Sequence, residues 1–395
     1  MNLTYTALLE QVKAYHPAKY NHTRNYISGA VTTWSPYISR GFLSPVMVMD
    51  ELKSKYHQQE WIGFMQQMAW REYFQRVWQH QGDLILQDLK SAQSNVILEE
   101  LPIPISSGST EIHAIDNAIL QLYDTGYLHN HLRMYIAMLH TNIFKAAWLS
   151  GAKWMYANLL DHDPAANFLS WQWVAGTFSS KQYIANQENI NKYTSTKQVG
   201  TFLDTEYENL QSSIFDNRGQ VKAIKGITFP SPLDQAYTID AISILKNIKE
   251  AYPNEKFDIH KIDLTKPFCL YNSFNIDPLW HKDEALNRVL ILEPNHFAKF
   301  PVTEKVLQCI VDLGKNNIPG IQIFIGNFED LLFALETTKV VSSIENKKQN
   351  IFFKEHPTTQ HYQGIREERD WLFPEVNGYY PSFFGYWKKC EKYLK

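Results

Sequence analysis

The sequence has little of three things: cysteine, net charge and long apolar runs. Its three cysteines, Cys269, Cys309 and Cys390, lie far apart in the chain. This scatter argues against a disulfide framework and against a paired-cysteine metal site. No apolar run approaches the roughly 18 residues that a membrane-spanning helix requires, and residues 1–13 have no export signal. We therefore expect no membrane partner and a location in a reducing cytoplasm.

The charge balance limits the possible partners. The 38 Lys and Arg residues and the 41 Asp and Glu residues give a net charge of -3, which argues against a general polyanion binder. A local basic groove stays compatible with this balance, since phosphate binding depends on where the basic side chains lie. The 14 histidines have no convincing metal-ligand spacing. His129 and His131, for example, would point to different sides of a helix, so we expect no metal site.

The apolar spacing changes along the chain. In the N-terminal half it is helical, as in Leu132, Ile136, Leu139 and Ile143. The C-terminal part contains short runs typical of strands, with a helical stretch at 302–313 between two of them. These runs are 268–271, 288–292, 321–325 and 350–353.

Strand-helix-strand alternation predicts a parallel sheet with covering helices. We therefore expect the fold class α + α/β, in which a helical bundle at residues 1–225 is followed by a linker at 226–264. A smaller, Rossmann-like α/β domain would then occupy residues 265–395.

One segment, residues 161–173 with the sequence DHDPAANFLSWQW, combines acidic, amide and indole side chains with a proline. This mixture is more typical of a buried site than of an apolar core. The segment resembles the flavin-binding signature of the photolyase and cryptochrome family. Four other segments resemble the same family in the same order along the chain: 24–38, 41–45, 68–74 and 126–134. The resemblance implies a helical FAD-binding domain. It also implies a reversed domain order, since family members carry their α/β domain first; an unrelated α/β appendage is the alternative.

The resemblance assigns residues to FAD. Thr32, Thr33 and Ser35 correspond to the loop that holds the flavin diphosphate, and Tyr20 corresponds to a tyrosine near the same phosphates. Hydroxyls before a helical run suit phosphate binding, although ordinary helix capping is the alternative. Val31 departs from the family, in which many members have another hydroxyl there.

Further family positions surround the flavin ring. Arg133 and Asp161 correspond to an ion pair beside the isoalloxazine, and Asp163 to a contact with the pyrimidine edge. A purely structural salt bridge is the alternative. Asn167 corresponds to the residue opposite flavin N5, where photolyases use asparagine. An amide suits an anionic reduced flavin because it donates a hydrogen bond without a labile proton.

Two tryptophans, Trp148 and Trp171, have the spacing of the inner members of the family's electron-transfer chain. Buried core aromatics are the alternative interpretation. The third, surface tryptophan of that chain is missing, because Ile105 stands in its place. We expect electron transfer to use another exit or to be slow.

The resemblance also implies a cavity for a flipped pyrimidine dimer in damaged DNA, with flat walls and polar groups. The matching positions are Gln67, Trp70, Arg71, Asn130, Met134 and Trp173. Gln67 departs from the glutamate of cyclobutane-dimer photolyases, and the histidines of the (6-4) branch are replaced by Asn130 and Met134. His131 stands where a DNA-contacting arginine is common.

Two functions therefore follow from the resemblance. The first is an FAD-dependent, blue-light-driven DNA photolyase, a lyase in which Trp148, Trp171, Asn167 and Gln67 serve catalysis. The alternative is a cryptochrome-like flavin photoreceptor without repair activity, which acts on a protein partner. The scarce cysteines disfavour the iron-sulfur branch, and the sequence leaves the antenna chromophore unidentified.

Overall fold

A computed structural model describes residues 4–211, 228, 230–231, 237–336 and 350–394. The chain forms two compact units, each built from separate stretches of sequence. The first unit contains Met1–His16, Thr32–Gln79 and Ile239–Lys395, and the second contains Pro17–Val31 and His80–Thr238. The division at a 226–264 linker stays a prediction, and its positions 226–227, 229 and 232–236 lie outside the described residues.

Helices occur in both units. In chain order they are α1 (Tyr5–Ala14), α2 (Tyr20–Thr23), α3 (Ser35–Ser39), α4 (Pro45–Lys55), α5 (Gln58–Gln81), α6 (Ile103–Ser107), α7 (His113–Thr125), α8 (Asn130–Met138), α9 (Trp148–Asn158), α10 (Pro164–Ala175), α11 (Gln187–Thr194), α12 (Tyr207–Gln211), α13 (Ala241–Ala251), α14 (Pro294–Lys299), α15 (Glu304–Asn317), α16 (Phe328–Glu336) and α17 (Phe383–Cys390).

The core of the second unit is formed by α8, α9 and α10, which pack against one another. The apolar residues that predict helix here, among them Leu132 and Ile136, are buried. Beyond α8 the chain continues in a π-helical turn, Leu139–Ile143. Such turns occur frequently at functional sites.

The ends of α10 follow from its sequence. The Asp163 side chain caps the first turn by accepting a hydrogen bond from the backbone N–H of Ala166 at 3.0 Å. Pro164 at the first helical position needs no N–H partner. The helix stops at Gly176, whose φ of 83° lies in the left-handed region that glycine adopts readily. The capping side chain therefore comes from one of the residues that the resemblance assigns to flavin.

The first unit contains a five-stranded parallel sheet. In chain order its strands are β1 (Phe268–Tyr271), β2 (Asn287–Leu292), β3 (Gln322–Ile325), β4 (Ile351–Lys354) and β5 (Ile365–Glu367). The spatial order is β3-β2-β1-β4-β5. Leu270 of the central strand lies opposite Val289 on one side and Phe353 on the other. All three side chains are buried, as expected for a parallel sheet covered on both faces.

The predicted fold class, α + α/β, is confirmed by this sheet and the helices. The four predicted strand runs correspond to β1–β4, and the predicted helix at 302–313 corresponds to α15. β5 has no sequence prediction, because its three residues include Arg366 and Glu367 and form no apolar run. In the part of the chain that the structure describes, no helix is long and apolar enough to cross a membrane.

Candidate flavin and lesion site

Arg133 and Asp161 form an ion pair in the second unit. The Arg133 Nη2 donates to Asp161 Oδ2 at 2.9 Å, and its Nε donates to the carbonyl oxygen of Leu128 at 3.1 Å. Arg133 lies on the first turns of α8, while Asp161 precedes α10. The side chains are 23% and 7% exposed. The pair is therefore largely removed from water, and the fold brings together two residues that are distant in sequence.

Tyr20 is linked to this pair through Tyr127. Burial raises its pKa to about 12, while the charge of Arg24 opposes that shift and Tyr127 adds to it. Burial likewise raises the pKa of Tyr127, which also feels the charges of Arg133 and Asp161. Tyr127 is therefore an electrostatic neighbour both of Tyr20 and of the ion pair in the second unit.

The Asn167 amide is oriented by the protein itself. Its Nδ2 donates to the carbonyl oxygen of Ala152 in α9 at 2.8 Å. This bond fixes which end of the amide carries the donors, so the side-chain oxygen of Asn167 faces away from Ala152. The side chain is half-buried, which leaves part of it available to a bound group.

The three hydroxyl residues of the predicted phosphate loop lie in the first unit. Thr32 is half-buried and Thr33 is exposed; both precede α3, which begins at Ser35. The start of α3 has no side-chain cap, because its N-cap residue is Trp34. Their role toward a diphosphate stays a prediction.

Both predicted electron carriers, Trp148 and Trp171, are buried in the second unit, with 3% and 2% exposure. They belong to the packed helices α9 and α10. Gly151 allows this packing, since a Cβ atom there would lie 2.5 Å from the Trp171 ring. Ile105, which stands in place of a third tryptophan, is fully buried.

Sequence reasoning missed two polar neighbours of these indoles. His140, in the π-helical turn, lies edge-on to Trp171 with ring centroids 5.3 Å apart, and burial lowers its pKa to about 4. Asp88 accepts a hydrogen bond from Trp148 Nε1 at 2.6 Å. The π-helical turn has no sequence signal, and Asp88 resembles any other loop aspartate. Both assignments require the tertiary structure.

On α5 the predicted lesion residues Gln67, Trp70 and Arg71 share one face, because they are three and four positions apart. The face near Trp70 is covered by the chain's own C-terminal helix. The Trp70 ring stacks on Phe383 of α17 with centroids 3.7 Å apart and planes 12° apart. The exposed Phe384 ring lies edge-on to the same indole at 6.5 Å.

Glu72, also on α5, binds the segment that covers Trp70. Its carboxylate accepts hydrogen bonds from the Tyr386 hydroxyl at 2.7 Å and from the backbone N–H of Phe373 at 3.0 Å. The backbone N–H of Leu372 is a third donor. Burial raises the pKa of Glu72, and these three hydrogen bonds oppose that shift. A buried carboxylate with three donors holds residues 372–386 against α5.

The other predicted lesion residues lie in the second unit. Asn130 is exposed, and its Nδ2 lies 3.8 Å from the Met134 sulfur, so these two residues are neighbours on α8. Trp173 is 37% exposed and faces the Tyr183 ring at 6.1 Å. His131 is buried against Tyr193, and burial lowers its pKa to about 4. His131 is therefore neutral at pH 7 and is not a cationic phosphate contact.

Part of the chain is similar to known proteins. Residues 64–211 match the family model described as the FAD binding domain of DNA photolyase. The chain is 29% identical over 206 residues to cryptochrome DASH, chloroplastic/mitochondrial, of Oryza sativa subsp. japonica, across 48% of this chain and 33% of that protein. It is 30% identical over 154 residues to deoxyribodipyrimidine photo-lyase of Agrobacterium fabrum, across 38% and 32%. Residues 64–211 therefore form a domain like the FAD-binding domain of the photolyase/cryptochrome family.

The resemblance predicted from the sequence is thereby confirmed. A crystal structure of a Synechocystis cryptochrome aligns with a TM-score of 0.43 and 24% sequence identity, over 48% of this chain and 43% of that one. The chain spans about a third of the length of the two curated relatives.

The residues of this photolyase-like domain fit FAD. Asp161 Oδ1 is buried and, among the described residues, has no hydrogen-bond donor. A buried carboxylate oxygen without a donor is costly, and an N–H of a bound group would satisfy it. An isoalloxazine ring offers such an N–H. Arg133 and Asp161 are therefore suited to hold the flavin in the second unit.

Proposed function

We propose that the protein is an FAD-dependent, blue-light-driven DNA photolyase that repairs pyrimidine dimers in the cytoplasm. The observation that carries this proposal is the Arg133–Asp161 pair with its unsatisfied carboxylate oxygen. When bound, the flavin would supply the light absorption and the electron that splits the dimer. The 30% identity to a protein named deoxyribodipyrimidine photo-lyase supports repair as the activity.

In this proposal Arg133 and Asp161 orient the flavin ring, and the Arg133 guanidinium stabilises negative charge on it. One N–H of the Asn167 amide donates to the carbonyl oxygen of Ala152. Its other N–H and its oxygen would contact N5. A fixed amide cannot release a proton at pH 7, which favours an anionic reduced flavin over a protonated one. Asp163 retains a second role as the cap of α10.

The DNA contacts in this proposal are Gln67, Trp70 and Arg71 of α5, together with Asn130, Met134 and Trp173. The exposed Trp173 ring offers a flat surface on which a base stacks, a contact worth about 1–3 kcal/mol per base. Damaged DNA is accordingly the proposed partner.

The deciding experiment is light-dependent repair of an oligonucleotide with a single thymine dimer. The protein is used anaerobically after its bound FAD has been quantified and chemically reduced, so that Trp148 and Trp171 are not needed. Restored thymine under illumination alone is the expected result. No repair by fully loaded, reduced protein would remove this proposal. The Gln67→Glu variant serves as a comparison and is expected to increase repair if the lineage is that of cyclobutane-dimer enzymes.

A second candidate, a cryptochrome-like photoreceptor without repair activity, is favoured by one observation. The Trp70 ring already stacks on Phe383 of its own chain, which leaves that face of the indole unavailable to a base. In a photoreceptor, light would instead change the binding of α17 or of a partner. Hydrogen exchange in residues 371–390 that increases on illumination would support this candidate, whereas identical exchange in light and dark would contradict it.

A further inference from the structure

The indole N–H of Trp148 is joined to water through a carboxylate. Trp148 is the first residue of α9 and is 3% exposed. Its Nε1 donates to Asp88 Oδ1 at 2.6 Å. Asp88 itself is an exposed residue, two positions after the 3-10 turn Gly82–Leu86. One end of this hydrogen bond therefore lies in the core and the other end at the surface.

The carboxylate is held in place on both oxygens. The backbone N–H of Gln93 donates to Asp88 Oδ2 at 2.8 Å. The Gln93 side chain in turn accepts the backbone N–H of Trp148 at 2.8 Å and donates to the carbonyl oxygen of Ala146 at 2.8 Å. The loop from Asp88 to Gln93 thus contacts both the backbone and the indole of Trp148.

This geometry meets the requirement for proton transfer, since a base must lie within about 2.6–3.2 Å of the proton it accepts. A neutral indole does not give up its N–H proton to a carboxylate. An indole that has lost an electron is a far stronger acid, because the positive charge is shared with the ring nitrogen. The bond between Trp148 and Asp88 is therefore inert until Trp148 is oxidised.

We propose that Asp88 is the proton acceptor of oxidised Trp148, an inference that rests on the proposed function as the source of the oxidant. Trp148 would give one electron to Trp171 once Trp171 had lost one electron to the bound, photoexcited flavin. The Nε1–H bond of Trp148 then breaks, and the proton forms an O–H bond on Asp88. The products are a neutral Trp148 radical and a neutral carboxyl group, which releases its proton to water. A thiol reductant returns one electron, and solvent returns one proton.

Proton transfer to Asp88 takes the place of the missing third tryptophan, because it prevents the return of the electron to Trp148. In place of that indole stands the buried Ile105. Without a further electron carrier at that position, Trp171 can return an electron at once to the oxidised Trp148. Loss of the proton makes that return unfavourable. The negative charge of Asp88 also stabilises the positive charge that develops on Trp148.

A structural role alone is the competing explanation, because a buried indole N–H needs an acceptor in any case. Trp154 in the same helix provides the comparison. Its Nε1 donates to the Tyr123 hydroxyl at 2.8 Å, so its acceptor is neutral. Tyr123→Phe removes an indole acceptor in the same way as a change at Asp88, and it is therefore the matched control.

The test follows the tryptophan radicals by transient absorption after a light flash on the flavin-loaded full chain. In the wild type the cation radical is expected to convert to the neutral radical. In Asp88→Asn this conversion slows at least tenfold, in Asp88→Glu it is restored, and in Tyr123→Phe it keeps its wild-type rate. Equal conversion rates in the wild type and Asp88→Asn would overturn the proposal.

A flavin-free measurement separates this inference from the proposed function. Azide radicals made by pulse radiolysis oxidise tryptophans of the full chain directly, and the difference between the wild type and Trp148→Phe isolates Trp148. Faster proton loss from Trp148 in the wild type than in Asp88→Asn supports the proposal even if the light flash gives no radical. In that case the proposed function alone would fail. No difference between the two proteins overturns the role of Asp88.

Discussion

The indole ring of Trp70 lies parallel to the phenyl ring of Phe383, 3.7 Å away between centroids. The two residues are far apart in sequence, and Phe383 is 3% exposed. Glu72 adds hydrogen bonds from Tyr386 and Phe373 to the same contact. A surface that resembles a lesion cavity in sequence is thus packed against the protein's own C-terminal helix.

Phe383→Ala should lower the free energy of unfolding by about 3–5 kcal/mol, the usual cost of removing a buried phenyl ring. It should also increase the affinity for dimer-containing single-stranded DNA if Trp70 is a lesion wall. Urea unfolding and fluorescence-anisotropy titrations measure the two effects. Phe384→Ala, at a neighbouring ring that is 71% exposed, is the control and should change stability by less than about 0.5 kcal/mol. Equal effects of the two variants would contradict the importance of the stack.

Asp161→Asn should reduce FAD affinity at least tenfold, because Arg133 loses its ionised partner and the flavin loses a charged acceptor. The apoprotein should lose roughly 1–3 kcal/mol of stability, less than for a fully buried pair, since Arg133 is partly exposed. The measurement is reconstitution of flavin-free protein with FAD, followed by fluorescence. Asp124→Asn, an exposed site in α7, is the control. An unchanged dissociation constant in Asp161→Asn would reject the flavin assignment.

Asn167→Asp should destabilise the apoprotein by about 1–3 kcal/mol at neutral pH. The new carboxylate would face the carbonyl oxygen of Ala152, which now receives a hydrogen bond at 2.8 Å. In the flavin-loaded protein the same change should alter the reduction potential of the flavin, as measured by spectroelectrochemistry. Asn130→Asp, at an exposed position of α8, tests for general charge effects. A loss of stability without any change in potential would rule out a contact of Asn167 with the flavin.

Asp277 should give the first unit a measurable pH dependence. Burial raises the pKa of this carboxyl from 3.8 to about 6, and the nearby Asp370 adds to the shift. Because the folded state binds this proton more tightly, the contribution to stability is largest below pH 3.8. This contribution falls as the pH rises from 3.8 to about 6. Above that range the folded protein bears the full free-energy cost of an ionised, buried carboxylate.

Replacement by the neutral Asp277→Asn should therefore raise the free energy of unfolding by about 1–3 kcal/mol at pH 7 and by nothing near pH 4. Urea midpoints measured from pH 4 to pH 7.5 provide the test. Asp283→Asn, an exposed site in the same unit, should keep the wild-type pH profile. Parallel profiles for Asp277→Asn and the wild type would contradict a buried carboxyl with a raised pKa.

Much of the fold follows from local sequence. Apolar runs such as Phe268–Tyr271 predict the parallel strands, because both faces of such a sheet are buried. Asp163, Pro164 and Gly176 mark the ends of α10, since capping and left-handed geometry depend on the residue itself. The flavin residues stay a prediction from the resemblance; of these, Arg133 lies on α8 and Asn167 on α10, as the helical spacing of the local sequence indicates.

The tertiary structure decided what depends on contacts between distant residues. Asp88 and Trp148 are 60 positions apart, and nothing in either local sequence connects them. Phe383 likewise carries no signal that it covers α5, and Glu72 carries none that it accepts a hydrogen bond from Tyr386. β5 is too short and polar to be recognised. Local propensity and capping act within a few residues, whereas a stacked ring or a buried carboxylate is defined by side chains that meet only when the chain has folded.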